Sequence, residues 1–283
     1  MRNITILAGG AALAVTLAFA GVASAAQSQA QLEKRIAALE ARVQTQEDIE
    51  AINKLTRAYG YYIDKQIWSE VTPLFSDDAV VEISGRGVYK GRKGVETLFH
   101  KVIGRNHEGL MDGSLSNHMV LQGIVNVAPD GKTASGRWRA FIQIGIYQKA
   151  ALWAEGPYEI TYVKENGVWK FRTMHWFGTY FTPFDQGWAK ASFGNNGPSK
   201  DFPPDAPPSV KYDAFPGHYV PPFHYANPVT GRTWTLEDTK KYSTEGMDPS
   251  NAANAAGAAS PLAAPTSPAA PAVTPQPEKK PGS

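Results

Sequence analysis

The chain has 283 residues with 28 Lys and Arg against 26 Asp and Glu, and its net charge of +2 is too balanced to argue for a nucleic-acid or anionic-membrane surface. It contains no cysteine, which excludes disulfides and thiolate chemistry in any compartment. Aromatic residues make up 11 %, more than one small core requires, so some are expected to line an apolar pocket or a subunit interface.

The first 25 residues combine a basic start at Arg2, a short apolar run and an Ala-Ser-Ala ending at Ala25. This reads as a secretory signal peptide cleaved before Ala26 and not as a membrane span. The mature protein is expected to be exported, to a periplasm first and to the medium second, with no membrane span after cleavage. Residues 26–47 read as a helical extension, with Leu32, Ile36, Leu39 and Val43 alternating four and three apart. Two heptads are too few for a self-standing coiled coil, so the segment is expected to pack on a neighbour or lead into the domain helix.

A domain is expected over residues 48–185. Ile49, Ile52, Leu55 and Tyr59 recur at helical spacing and Gly60, Asp64 and Trp68 continue their stripe, predicting a helix over Asp48–Asp64. A second helix over Ile67–Phe75, a strand over Ala79–Ser84, a turn at Gly85–Gly87 and a third helix over Arg92–Arg105 follow. Four longer strands are expected at Ser116–Val127, Thr133–Gln148, Ala151–Lys164 and Trp169–Phe181, with Pro-Asp-Gly and Glu-Asn-Gly turns among them. Helices first and a long antiparallel meander afterwards predict an α+β fold. Residues 186–248 form an arm rich in Pro and aromatics, among them Phe202, Tyr212, Phe215, Tyr219, Phe223 and Tyr225, expected to wrap the domain or a neighbouring subunit. Residues 249–283 are mostly Ala and Pro, a composition expected to be disordered.

Asp64 is a carboxylate where a core side chain belongs, and such a group needs a partner. His118, on the strand Ser116–Val127, is the candidate, with Tyr59, Tyr61 or Tyr62 nearby. Alternation puts Asn117 and His118 on opposite faces, and the histidine is assigned to the pocket. The alternative is a structural aspartate that hydrogen-bonds a strand. His175 shares a face with Trp169, Phe171, Thr173 and Phe177 by period two, a stripe more often core than catalytic. Arg137 and Arg139 flank Trp138 and could hold a substrate phenolate or carboxylate if their face is the concave one. The spacings carry no metal-ligand box, no phosphate-binding glycine loop and no GxSxG signature, so no metal or cofactor is expected.

The order YxxxxD with Trp four residues on, LFSDDAVVE, GxYxGRxGV, and the hairpins APDGKTASGRW and YVKENGVWKF resembles the SnoaL-like branch of the nuclear transport factor 2 superfamily. The resemblance covers about Asp48 to Tyr180 and implies an NTF2-like cone, a curved antiparallel sheet wrapped around N-terminal helices, with a pocket at its open end. Scytalone dehydratase-like members carry an Asp and a Trp that map onto Asp64 and Trp68, and a strand histidine that maps onto His118. Their second strand histidine has no counterpart between Arg137 and Tyr147.

That resemblance, with the long aromatic arm, points to a cofactor-independent lyase of the diarylpropane or phenylcoumaran type, removing water or formaldehyde from a small aromatic alcohol. His118, Asp64 and Tyr59 are the catalytic candidates, His118 as general acid, with Tyr62, Trp68, Arg139, Tyr147 and His175 as substrate-binding candidates. The alternatives are an exported binding module for a hydrophobic ligand and a SnoaL-type isomerase or cyclase. A homo-oligomer, dimer or trimer, is implied by the same resemblance.

Overall fold

The computed structural model describes residues 9–244, with side chains from residue 28 onward. The expected signal peptide therefore lies outside the residues whose side chains are described, and the tail at 249–283 lies outside altogether. The chain divides into two compact units after Glu50, and each is described by itself.

In the first unit the backbone belongs to helix α1, Gly9–Asp64, which runs on into the second. The domain helix thus has no start of its own at Asp48. Between residues 26 and 48 there is no Gly or Pro, and Ala, Leu, Glu, Arg and Gln are good helix formers, so nothing ends the helix there. Leu32, Ile36, Leu39 and Val43 are all exposed.

In the second unit α1 buries Ile52, Tyr59, Gly60 and Asp64 of the predicted stripe, leaves Ile49 and Leu55 half-buried, and buries Thr56 and Ile63 beside them. Gly60 sits where a Cβ would stand 3.0 Å from Val120 Cγ2 and 3.2 Å from the His118 carbonyl oxygen, so a larger residue would crowd the close approach of the helix to the strand beneath. The helix ends as Gln66 turns left-handed at φ 55° and the Ile67 N–H donates to the Tyr62 carbonyl at 3.0 Å. Helix α2 is a single turn, Trp68–Val71, followed by a tighter turn over Thr72–Leu74 that contains Pro73. The second predicted helix is thereby shortened and the chain is extended from Phe75.

Strand β1, Phe75–Ile83, a turn at Ser84–Arg86 and the short β2, Val88–Lys90, precede α3, Gly91–Glu96, whose last part widens into a π-helical stretch over Thr97–Ile103. Then come β3, Ser114–Val127; β4, Thr133–Ile146; β5, Ala150–Glu165; β6, Val168–Trp176; and β7, Tyr180–Pro183. The order across the sheet is β2-β1-β6-β5-β4-β3, with β7 on β5. The meander β3 to β6 is antiparallel as expected, but β1 lies parallel to β6, so the sheet is mixed and does not close.

The fourth predicted strand, Trp169–Phe181, is two strands. At Gly156 a Cβ would stand 2.1 Å from the Phe177 carbonyl oxygen, and that close approach lets Phe177-Gly178-Thr179 cross from one half of β5 to the other. The concave face carries Trp138, Ile142, Tyr158, Ile160, Met174 and Trp176 against α1 and α3, and the apolar core sits there. Helices ahead of this curved sheet make the second unit an α+β cone.

The arm folds back on the opposite face. The Val88 N–H donates to the Ala206 carbonyl, the Tyr89 hydroxyl to the Phe202 carbonyl and the Ser209 N–H to Glu82. Tyr212 and Tyr219 stack with centroids 5.0 Å apart and both pack on Phe177. A final helix α4, Leu236–Tyr242, opens with a capping box made by Thr235 and Asp238. Proline removes donors but not side-chain packing, so an arm that joins the sheet only by isolated bridges at Ala206 and Phe193 still covers it.

Candidate active site

The inner ends of α1 and the sheet enclose a mostly apolar cavity of about 490 Å3, large enough for a small aromatic ligand. Tyr59 and Ile63 reach it from α1, Trp68 from α2, Phe99 and Val102 from the π-helical stretch, and Ile142, Tyr158, Trp176 and Phe181 from the sheet. Two polar groups stand out on these walls. One is His118 on β3 and the other is Arg86 in the turn between β1 and β2.

His118 is buried because β3 alternates: Ser116 and His118 face inward, while the Asn117 side chain bonds Gln143 on the neighbouring strand. Its Nε2 lies 3.0 Å from the Tyr158 hydroxyl, which in turn lies 3.2 Å from the Tyr59 hydroxyl. Burial pushes the imidazole down to about 4, so the ring is neutral at neutral pH. Desolvation pushes both phenols up, so they stay protonated. The three groups form an uncharged hydrogen-bonded relay at the wall of an apolar space.

While Arg105 lines this site from an exposed position, Arg86 is its inner cation. Burial draws its guanidinium down to about 10, which leaves it charged at neutral pH. It donates to the Ile83 carbonyl at 3.3 Å. Among the described residues no carboxylate pairs with it. The arm supplies a further wall through Asn196, whose carbonyl oxygen packs on Gly85 beside Arg86.

Asp64 points inward as its helical position requires, yet its carboxylate does not meet the imidazole of His118. Its Oδ1 accepts the backbone N–H of His118, tying the end of α1 to β3. Burial raises its pKa and this bond opposes the rise. The expected Asp64–His118 side-chain pair is therefore corrected to a backbone anchor. The strand amide is the nearer donor because Gly60 brings the helix down onto β3.

Of the remaining candidates, Tyr59 and Trp68 line the cavity, with the Trp68 indole N–H donating to the His107 carbonyl at 2.9 Å. Tyr62 is half-buried against the core beside them, and Tyr61 faces solvent. Tyr147 is exposed at the β4–β5 hairpin, because β4 stops at Ile146 and Gln148 turns left-handed at φ 59°.

Arg139 and His175 are on the other face of the sheet, so neither serves this cavity. For Arg139 the reason is its neighbour: Trp138 takes the concave side, and Arg139 pairs with Glu155 outside. For His175 the reason is an irregularity in β6. Phe171 pairs with Tyr162 but Thr173 pairs with Thr161, so Arg172 is an extra residue and the alternation inverts. Trp169 and Phe171 face the core before it, Met174 and Trp176 after it, and His175 stacks on Phe177 outside at 3.7 Å.

Tyr158 and Arg86 are the site residues that the sequence reading missed. Tyr158 carried a signal, since it alternates with Ile160 and Tyr162 along β5. Arg86 carried only its place between two glycines in a turn joining apolar strands. Among the described residues no group of three or more His, Asp or Glu side chains is arranged to hold a metal ion, and no helix there is long and apolar enough to cross a membrane.

Residues 44–175 match the model of the SnoaL-like domain. Similar solved structures include the hexachlorocyclohexane dehydrochlorinase LinA-type3 from Novosphingobium barchaimii, at 21 % identity, covering 50 % of this chain and 94 % of that one with a TM-score of 0.44. A candidate scytalone dehydratase from Novosphingobium aromaticivorans is 17 % identical, covering 56 % and 97 %, at 0.45. An NTF2-like protein with a cystatin-like fold from the same species is 18 % identical, covering 54 % and 92 %, at 0.37. At these identities and scores the likeness carries nothing about reaction or substrate.

Proposed function

We propose that this protein, which carries a SnoaL-like domain, is a cofactor-independent lyase. Its substrate would be a small aromatic alcohol of the lignin-derived diarylpropane or phenylcoumaran type. The observation that carries the reading is the pairing of a neutral relay, His118 with Tyr158, and an unneutralised cation, Arg86, on the walls of one apolar cavity. A neutral imidazole whose pKa is near 4 is a proton acceptor at neutral pH, so His118 acts first as base, in place of the acid role that the sequence suggested.

For a substrate with a para-hydroxyl and a benzylic hydroxyl, the phenolic proton passes to Tyr158 as Tyr158 gives its own to His118 Nε2. The electron pair moves through the ring, the benzylic C–O bond breaks, and the departing hydroxide takes the proton back as water, leaving a quinone methide. Two exits follow. Loss of the adjacent carbon-bound proton to His118, neutral again after water forms, gives the alkene phenolate, which takes that proton back as the dehydrated phenol. Alternatively a terminal hydroxymethyl group gives its O–H proton to the neutral His118 relay, its C–C bond breaks and formaldehyde leaves, while the bonding pair forms the new alkene and restores the phenolate, which then takes that proton. Arg86 stabilises that phenolate more than the neutral phenol, which is the differential interaction catalysis needs.

Export is part of the same proposal: residues 1–25 as a leader removed before Ala26, with the protein delivered to a periplasm. Finding Ala26 as the first residue of the processed protein supports this, and an intact N-terminus overturns it.

The experiment is incubation of the purified protein with a panel of para-hydroxylated aromatic diols, following ultraviolet absorbance for a conjugated alkene alongside a formaldehyde assay. A stilbene-like band that is lost in His118→Ala supports the lyase, and formaldehyde separates carbon–carbon cleavage from dehydration. Saturable binding of the diols without turnover contradicts it and leaves a binding module.

A further inference from the structure

Helix α1 carries an exposed apolar stripe. Leu32, Ile36, Leu39 and Val43 are 56, 46, 54 and 57 % exposed on a segment whose other residues, 28–47, are polar or alanine. Their four–three spacing sets a heptad register in which Ile36 and Val43 take the a positions and Leu32 and Leu39 the d positions. Branched aliphatics at a with leucine at d favour two parallel strands.

The flanking charges fit the same register. Arg35 and Arg42 fall at g, and Glu33, Glu40 and Glu47 fall at e. In a parallel, in-register pair each g residue faces the e residue five positions on in the other chain. Arg35 then meets Glu40 of the partner subunit, and Arg42 meets Glu47 of the partner subunit. An antiparallel pair would set g against g and e against e, which is Arg against Arg and Glu against Glu. No other partner is needed to satisfy this face, because its own sequence is complementary to itself.

We infer that α1 pairs with α1 of a second copy as a short parallel two-stranded coiled coil over residues 32–47. Gln29 and Gln46, polar at the next a and d positions, bound it. Its few apolar layers make the association concentration-dependent, since an isolated coil of this length is marginal in water. This gives the protein a way to bring two domains together that is independent of the chemistry in the cavity.

The chain has no cysteine, so one introduced residue reports on one position. Leu32→Cys and Leu39→Cys, each made alone in the purified protein, should form disulfide-linked dimers under mild oxidation, while Ala41→Cys on the outer face should not. Cross-linking at both Leu32 and Leu39 requires a parallel register, because in an antiparallel pair at most one of them could oppose itself. Adding Arg35→Glu and Arg42→Glu should slow cross-linking at Leu39→Cys by roughly tenfold or more through like-charge repulsion. Mixing that variant with a Leu39→Cys chain bearing Glu40→Arg and Glu47→Arg should restore it as a heterodimer. Equal cross-linking at Ala41, cross-linking at only one of the two leucines, indifference to the charge reversal, or a trimeric mass by light scattering would each overturn the inference.

Discussion

The two faces of the one sheet handle buried polar groups in opposite ways. On the outer face Glu82, His175, Glu159 and Arg137 stand in a row, each the ladder neighbour of the next. The arm and the row itself answer their charges, although Arg137 Nη1 and His175 Nε2 are buried without a hydrogen-bond partner. Arg137 pairs with Glu159 at 2.7 Å, donates to the Pro221 carbonyl at 3.0 Å and lies 4.0 Å over the Phe223 ring. His224 bonds Glu159 at 3.1 Å and Asn126 at 3.2 Å, and Ser209 bonds Glu82. On the concave face, among the described residues, the His118 ring meets only neutral phenols and Arg86 pairs with no carboxylate. Paired charges hold the arm; unpaired ones are free to act on a substrate.

This contrast can be broken most sharply at His118. His118→Gln keeps a polar side chain but loses the base, and turnover should fall by about a thousandfold while circular dichroism stays unchanged. The same residue sets a pH dependence. Between pH 4 and 6.5 the unfolded chain binds a proton at this position that the folded protein excludes. Stability should therefore climb with pH across that window and level off above it, by an amount on the order of 3 kcal/mol. His175, also pushed down by burial, adds a rise of the same sign, so the difference between wild type and His118→Gln isolates the cavity's share.

Arg86 comes next. Arg86→Met should lower kcat about a hundredfold with a smaller change in KM, because the cation serves the developing phenolate. Equal losses in both substrate binding and turnover would mean that Arg86 holds the ground state instead.

On the outer face the expected effect is on stability and not on rate. Glu159→Gln leaves Arg137 buried without its counter-charge and should cost about 3 kcal/mol in urea unfolding. The kcat of the folded fraction should hold. A loss of turnover at full stability would mean that the two faces are not separate.

The smallest effect is expected at Asp64. Asp64→Asn retains an oxygen to accept the His118 N–H, so kcat/KM should fall by less than about tenfold, within the cost of weakening one hydrogen bond. A loss as deep as that of His118→Gln would restore an Asp–His side-chain dyad.

Much of this was legible in the residues. Helical spacing put Ile52, Tyr59 and Asp64 on the buried side of α1, the Pro-Asp-Gly and Glu-Asn-Gly turns bounded the long strands, and alternation set His118 and Asn117 on opposite faces. Asp64 was placed on the right side of its helix but given the wrong partner, because side-chain spacing says nothing about which backbone amide a carboxylate will reach. His175 was lost to one extra residue, Arg172, since a bulge inverts every later position and leaves no mark in the pattern of apolar residues. Arg139 could have been excluded by Trp138, whose size alone claims the concave side. Arg86 was out of reach, because a turn residue has no period and its direction is set by the strands on either side.

The most direct measurement is a proton-coupled nitrogen NMR titration of the histidine rings, six in the chain, with His118 identified by its absence in His118→Gln. The account predicts a His118 ring that is neutral at pH 6 and begins to take up a proton only near pH 4. A His118 that is already an imidazolium at pH 6, titrating at or above the ordinary value of 6.5, would contradict a neutral base in a closed apolar cavity, and with it the mechanism proposed for this site.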